Sequence, residues 1–121
     1  MFSFLRSAKG PTLPPVPEIA RLVAEGKMLL LDVREVAEAR ASGLAEGARL
    51  LPLSLLPVKA DPRQPDCVLP QGLPVVVYCL SGGRSARAAD LLGRLGYAEV
   101  VNLGGLSNWA EGGGKVVTYQ G

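Results

Sequence analysis

Cys79 stands out for the residues on either side of it. It closes the apolar run Val75-Val76-Val77-Tyr78 and opens the segment Leu80-Ser81-Gly82-Gly83-Arg84-Ser85, after which a helical pattern begins. Gly82 and Gly83 let the backbone curl so that successive N–H groups point inward as an anion-binding nest. The helix starting near Arg84 adds its positive end. A sulfur in such a cradle is stabilised as a thiolate, with a pKa expected below the free value of about 8.5. A thiolate on a solvent-facing loop is a nucleophile, and a persulfide, also anionic, would be held by the same amides. Without that loop, a cysteine ending a strand reads as packing. Cys67, in a proline-rich segment with no nest or helix start after it, reads that way.

The rest of the composition narrows the chemistry. The 121 residues contain no histidine, which excludes a Ser-His-Asp triad, a His-assisted cysteine protease and an imidazole zinc site. Two cysteines are too few for a structural zinc centre, so neither metal nor cofactor is expected. Thirteen basic residues against eleven acidic give a net charge of +2, spread evenly. That balance gives no reason to expect nucleic acid or an anionic membrane surface as a partner. Arg6 and Lys9 interrupt the apolar start, and no apolar run approaches the roughly 20 residues of a membrane span. The expectation is a cytoplasmic protein with both thiols reduced.

The elements that must position Cys79 follow from periodicity. Residues 1–16 read as an extended lead-in, because the prolines of Pro11 to Pro17 disfavour helix. Residues 17–121 read as one domain. Pro17-Glu18 opens a helix with Ile19, Leu22 and Val23 on one face, ending at Gly26. Met28 to Val33 reads as a buried strand, Glu35 to Arg40 as a short helix, and Ala48 to Leu51 as a further strand. Pro57 to Pro74 is proline-rich and aperiodic, either a functional surface loop or mobile. Val75 to Tyr78 reads as the central strand. The helix after the Cys79 loop buries Ala88, Leu91, Leu92 and Leu95 and ends at Gly96. Glu99 to Leu103 reads as a strand, Gly104-Gly105 as a tight turn, and Leu106 to Glu111 as a last helix around Trp109. Alternating strands and helices predict an α/β fold: an open, mostly parallel sheet of about five strands with helices on both faces.

In order and spacing, several segments resemble the rhodanese domain. They are Leu30-Leu31-Asp32-Val33-Arg34-Glu35, Val76-Val77-Tyr78-Cys79 with its Leu-Ser-Gly-Gly-Arg-Ser loop, Gly96-Tyr97, and Asn102-Leu103-Gly104-Gly105-Leu106 before Trp109. The resemblance runs from about Pro17 to Gly112, and the cysteine loop is its most specific part. It implies a sulfurtransferase with a double-displacement mechanism. Cys79 takes the outer sulfur of a donor such as thiosulfate as a persulfide, then passes it to cyanide or to a small or protein thiol. Leu80, Ser81, Gly82, Gly83, Arg84 and Ser85 would hold the charged sulfur through backbone N–H groups, with Arg84 reinforcing the anion site or clamping the loop. Asp32 and Arg34 would brace the site from the neighbouring strand.

Where relatives commonly carry His-Ile-Pro-Gly-Ala, this chain has Leu44-Ala45-Glu46-Gly47-Ala48, followed by Arg49. Arg49 is expected to add a cation favouring an anionic donor. Other readings stay open: a persulfide carrier fed by a protein donor, and a rhodanese-shaped binding module without turnover. A cysteine-dependent phosphatase fits less well, because only Leu80, Ser81, Gly82 and Gly83 separate Cys79 from Arg84, a tight ring for a tetrahedral phosphate.

Overall fold

A computed structural model of the chain describes residues 13–121. Ahead of them it describes the backbone of two short antiparallel strands, β1 (Arg6–Ser7) and β2 (Gly10–Pro11). Half of the expected lead-in, residues 1–5, 8, 9 and 12, lies outside the described residues. Pro15 is extended, with φ −59° and ψ 148°, and helix α1 (Val16–Ala24) starts directly after it. Pro17 falls in the first turn, where a missing N–H removes no helical bond.

The central sheet is built from β3 (Leu29–Asp32), β5 (Arg49–Leu50), β6 (Val75–Cys79) and β7 (Val100–Gly105), all parallel, in the order β5-β3-β6-β7. It holds four strands where about five were expected. Every residue of β3 and β6 is buried, as expected of strands covered on both faces.

Alternation along these strands makes two cores. Leu29, Leu31, Val75, Val77 and Cys79 face one side with Leu56, Ala88 and Leu92. These last three come from the helices α3 (Leu56–Lys59) and α4 (Gly83–Arg94). Leu30, Val76 and Tyr78 face the other side with Ile19, Leu22 and Trp109, from α1 and α5 (Leu106–Glu111). Cys79 is thus turned toward α4 by the period-2 geometry of its strand.

After β3 the chain passes through α2 (Val36–Ser42) and β4 (Leu44–Ala45) to β5 at one edge. It then crosses back to β6 on the opposite flank of β3 and continues outward to β7. The adjacent strands β3 and β6 therefore leave in opposite directions, which opens a crevice beyond their carboxyl ends. Asp32 and Cys79 end the two strands at that crevice.

Two expectations are corrected. Gly104 and Gly105 end β7 and are not a separate turn. The register slips there, with Val77 opposite Asn102 but Tyr78 opposite Gly104. The strand end is thereby drawn under the cysteine loop, and a Cβ on Gly105 would run into the Leu80 carbonyl oxygen. The proline-rich segment, for its part, begins inside α3, which follows a 3-10 turn (Leu53–Leu55). The rest of it is tied down by the Tyr97 hydroxyl donating to the Ala60 carbonyl at 2.7 Å and by buried Leu69. Past α5, β8 (Val116–Val117) pairs antiparallel with β4, and the Trp109 indole N–H donates to the Lys115 carbonyl at 2.7 Å. Among the described residues no helix is long and apolar enough to cross a membrane.

Candidate active site

Cys79 is buried at the carboxyl end of β6, and the chain turns back over its sulfur. The Gly82 amide donates to Sγ at 3.0 Å and the Ser85 amide at 3.4 Å. Gly82 has φ +107°, a left-handed conformation that a side chain disfavours, and it is the N-cap of α4. The curl therefore depends on glycine, and the helix start aims its free amides at the sulfur. Burial raises the Cys79 pKa. The Ser85 hydroxyl and amide, with the amides of Gly82 and Ser81, outweigh it and bring the thiol down to about 7. A substantial fraction is thiolate at neutral pH.

The Ser85 hydroxyl is shared. Its oxygen lies 3.3 Å from Cys79 Sγ and 2.6 Å from Asn102 Oδ1, and its single proton goes to Asn102 or, when the sulfur is a thiolate, turns to Cys79. Asn102 Nδ2 donates to the Gly82 carbonyl at 3.0 Å, and its Oδ1 accepts from the Gly104 amide at 2.9 Å. Asn102 thus ties the cysteine loop to β7 and orients the serine. Ser85→Ala is expected to raise the midpoint of thiolate absorbance from near pH 7 by about one pH unit. A hydrogen bond to a charged acceptor contributes about 1.5 kcal/mol, and the Ser85 amide remains. Titrating absorbance at the thiolate band checks this, and an unchanged midpoint would remove Ser85 from the anion cradle.

Arg84 forms a bidentate pair with Glu38 of α2, its Nη1 and Nη2 at 2.6 and 2.8 Å from the two carboxylate oxygens. The Arg84 bonds hold the Glu38 carboxyl down at about 2, and Glu38 in turn raises the pKa of Arg84. The same carboxylate caps its own helix, Oε1 accepting from the Glu35 amide at 3.0 Å.

Beneath this pair lies a second, fully buried one. Arg34 Nε meets both Asp32 oxygens at 3.0 Å, and Nη2 meets Oδ2 at 2.7 Å. Arg34 also donates to Ser42 Oγ at 2.6 Å and to the Gly43 carbonyl at 2.7 Å, and stacks 5.9 Å from the Tyr78 ring centroid. Burial lowers the Arg34 pKa, but the bonds to Asp32 outweigh it and raise it overall. Asp32 and Arg34 therefore anchor the end of α2 to β3 and do not face the sulfur. Burial also pushes the Tyr78 hydroxyl well above its ordinary range. That hydroxyl accepts from the Ala45 amide at 3.0 Å, which fixes the segment standing in for His-Ile-Pro-Gly-Ala.

Residues 16–112 match the model of the rhodanese-like domain. The chain belongs to that family. A sulfurtransferase of Allochromatium vinosum is 37% identical over 102 residues, covering 84% of this chain and 89% of the relative. Among solved structures, a human single-domain sulfurtransferase is 31% identical with a TM-score of 0.64, covering 82% of this chain and 97% of its own. A Rhodopseudomonas palustris protein of unknown function, described as a possible tyrosine phosphatase, is 26% identical with a TM-score of 0.71. It covers 84% of this chain and 81% of its own.

In this rhodanese-like domain the expected site residues divide into four groups. Gly82 and Ser85 donate to the Cys79 sulfur, and the Ser81 amide helps to lower its pKa. Leu80 presents a side chain 61% exposed at the mouth, and Gly83 begins α4. Arg84 is committed to Glu38, and Asp32 with Arg34 braces from below. Arg49 is not brought to the cysteine. Its guanidinium donates to the Val68 carbonyl at 3.3 Å and lines a separate cavity of about 260 Å³ with Met28, Gly47, Pro70 and Leu73. The reason is register: Arg49 pairs with Leu31, one residue short of the strand end. Cys67 lies by the Leu69 carbonyl and the Tyr97 hydroxyl, away from the cradle. Glu38 and Asn102 are site residues that sequence reasoning passed over. Asn102 stood in the quoted Asn-Leu-Gly-Gly segment, which was the available signal. Among the described residues no group of three or more His, Cys, Asp or Glu side chains is placed to hold a metal.

Proposed function

We propose that this chain is a sulfurtransferase that carries sulfane sulfur on Cys79. The observation that carries the reading is the convergence of the Gly82 and Ser85 donors on a buried sulfur ending the central strand. The sulfurtransferase name of the Allochromatium relative supports it. In the first half-reaction the Cys79 thiolate attacks the outer sulfur of thiosulfate. The new S–S bond forms as the old one breaks, and sulfite leaves with that bond's electron pair. The persulfide anion that remains is stabilised by the same amides. In the second half-reaction a thiolate or cyanide attacks the outer sulfur, giving a new persulfide or thiocyanate and restoring the thiolate. Splitting the transfer this way requires ping-pong kinetics. Parallel lines in a double-reciprocal plot with thiosulfate and a thiol are the expected result, and converging lines would contradict the reading.

One observation favours a protein-fed variant of the same chemistry. The exposed Leu80 beside Cys79 offers an apolar contact to a macromolecular donor and no charge to a small anion. Faster loading by a cysteine desulfurase than by thiosulfate would select that variant. Phosphate-ester hydrolysis is disfavoured by the narrow ring from Cys79 to Arg84. Hydrolysis that is lost in Cys79→Ser would overturn that judgement.

A further inference from the structure

We propose that Glu38 is a specificity-determining residue that withholds the positive charge of Arg84 from the sulfur cradle. The site then favours organic persulfide donors, R–S–SH, over the thiosulfate dianion. This deepens the persulfide reading and rests on it. Charges at the crevice are closely balanced. The Arg84 guanidinium, on the first turn of α4, has both end nitrogens engaged by the Glu38 carboxylate at 2.6 and 2.8 Å. Arg34, whose charge also reaches Glu38, is matched by buried Asp32. Glu35 lies close enough to act on Arg84 and adds another carboxylate. Arg87, one turn further along α4, is exposed to solvent. The thiolate therefore works in a mouth where the charge of Arg84, which acts on Cys79, is already matched by Glu38.

Thiosulfate brings two negative charges to that thiolate, and both persist in the departing sulfite. An uncompensated approach of this kind is slowed by repulsion. An alkyl persulfide brings at most one, and none in the protonated form that accepts the attack. The thiolate bonds to its outer sulfur, the donor's S–S bond breaks, and R–S⁻ leaves with that bond's electron pair while the proton stays on the transferred sulfur, so the single charge is conserved. Exposed Leu80 suits the apolar R group of such a donor.

The test compares wild type with Glu38→Gln. Glutamine keeps an oxygen to cap α2 and to accept from Arg84, but it removes the charge. The probes are thiosulfate and a small alkyl persulfide, with kcat/KM measured across a salt series. The expected result is a rise of about tenfold for thiosulfate in Glu38→Gln, against a change within about threefold for the persulfide. Wild-type thiosulfate turnover should rise with added salt, as screened repulsion requires, and the variant should lose that rise. Equal changes for both donors, or a lower thiosulfate rate in the variant, would overturn the assignment. So would a wild-type thiosulfate rate that falls with salt, a measurement that needs no variant. If neither donor places sulfur on Cys79, the failure belongs to the underlying persulfide reading instead.

Discussion

Cys79→Ser is expected to lower sulfur transfer by about four orders of magnitude or more, with little change in stability. Removing a nucleophile that forms the covalent intermediate removes the reaction path itself. A serine oxygen fits where the sulfur sat and accepts from the Gly82 and Ser85 amides that now meet Sγ at 3.0 and 3.4 Å. Its hydroxyl stays protonated near neutral pH, whereas the thiol is held at about 7. Steady-state transfer from thiosulfate to cyanide, with urea unfolding as the control for folding, checks both halves. Residual transfer above a percent of wild type would move the sulfur to another group.

The second large effect is on stability. Arg34→Ala is expected to cost about 3–5 kcal/mol, because it leaves the Asp32 carboxylate buried without its partner. The same change frees Ser42 and the Gly43 carbonyl, which hold the end of α2 to β3. Glu38 rides on α2, so the position of Arg84 depends on this buried pair one layer down. A double replacement, Asp32→Asn with Arg34→Met, should cost less than Arg34→Ala alone, since no orphaned charge remains. Urea midpoints of the three proteins decide the matter. A single variant no less stable than wild type would show that the pair is not what fastens α2.

These two residues also show how far the sequence reaches. The cysteine loop was legible because its information is local. A strand end, two glycines and a helix start follow one another within a few residues, and each has a conformational reason. The parallel strands were legible for the same reason, as short apolar runs between helical patterns. Glu38 was not, because its partner Arg84 lies 46 positions away and the two meet only when α2 and α4 share the crevice. Asn102 was visible as part of a motif, yet its hold on Ser85 and Gly82 appears only once β7 lies beside β6.

The direction of Arg49 was hidden for a subtler reason. Its place in sequence, just after the segment that frames the crevice, was read correctly. The side chain's direction, however, depends on strand register, and pairing with Leu31 sends it to Val68. The pairing of β4 with β8 left no trace in periodicity, because strands of two residues are too short to show one.

The central claim, that Cys79 carries the sulfur, is tested most directly by intact mass after incubation with a sulfane donor and removal of excess reagent. Thiosulfate and an organic persulfide should be used in parallel on wild type and Cys79→Ser. The account predicts a gain of about 32 Da, one sulfur atom, on wild type alone, lost again on adding cyanide or a thiol. The same gain on Cys79→Ser, or no gain on wild type from either donor, would contradict it.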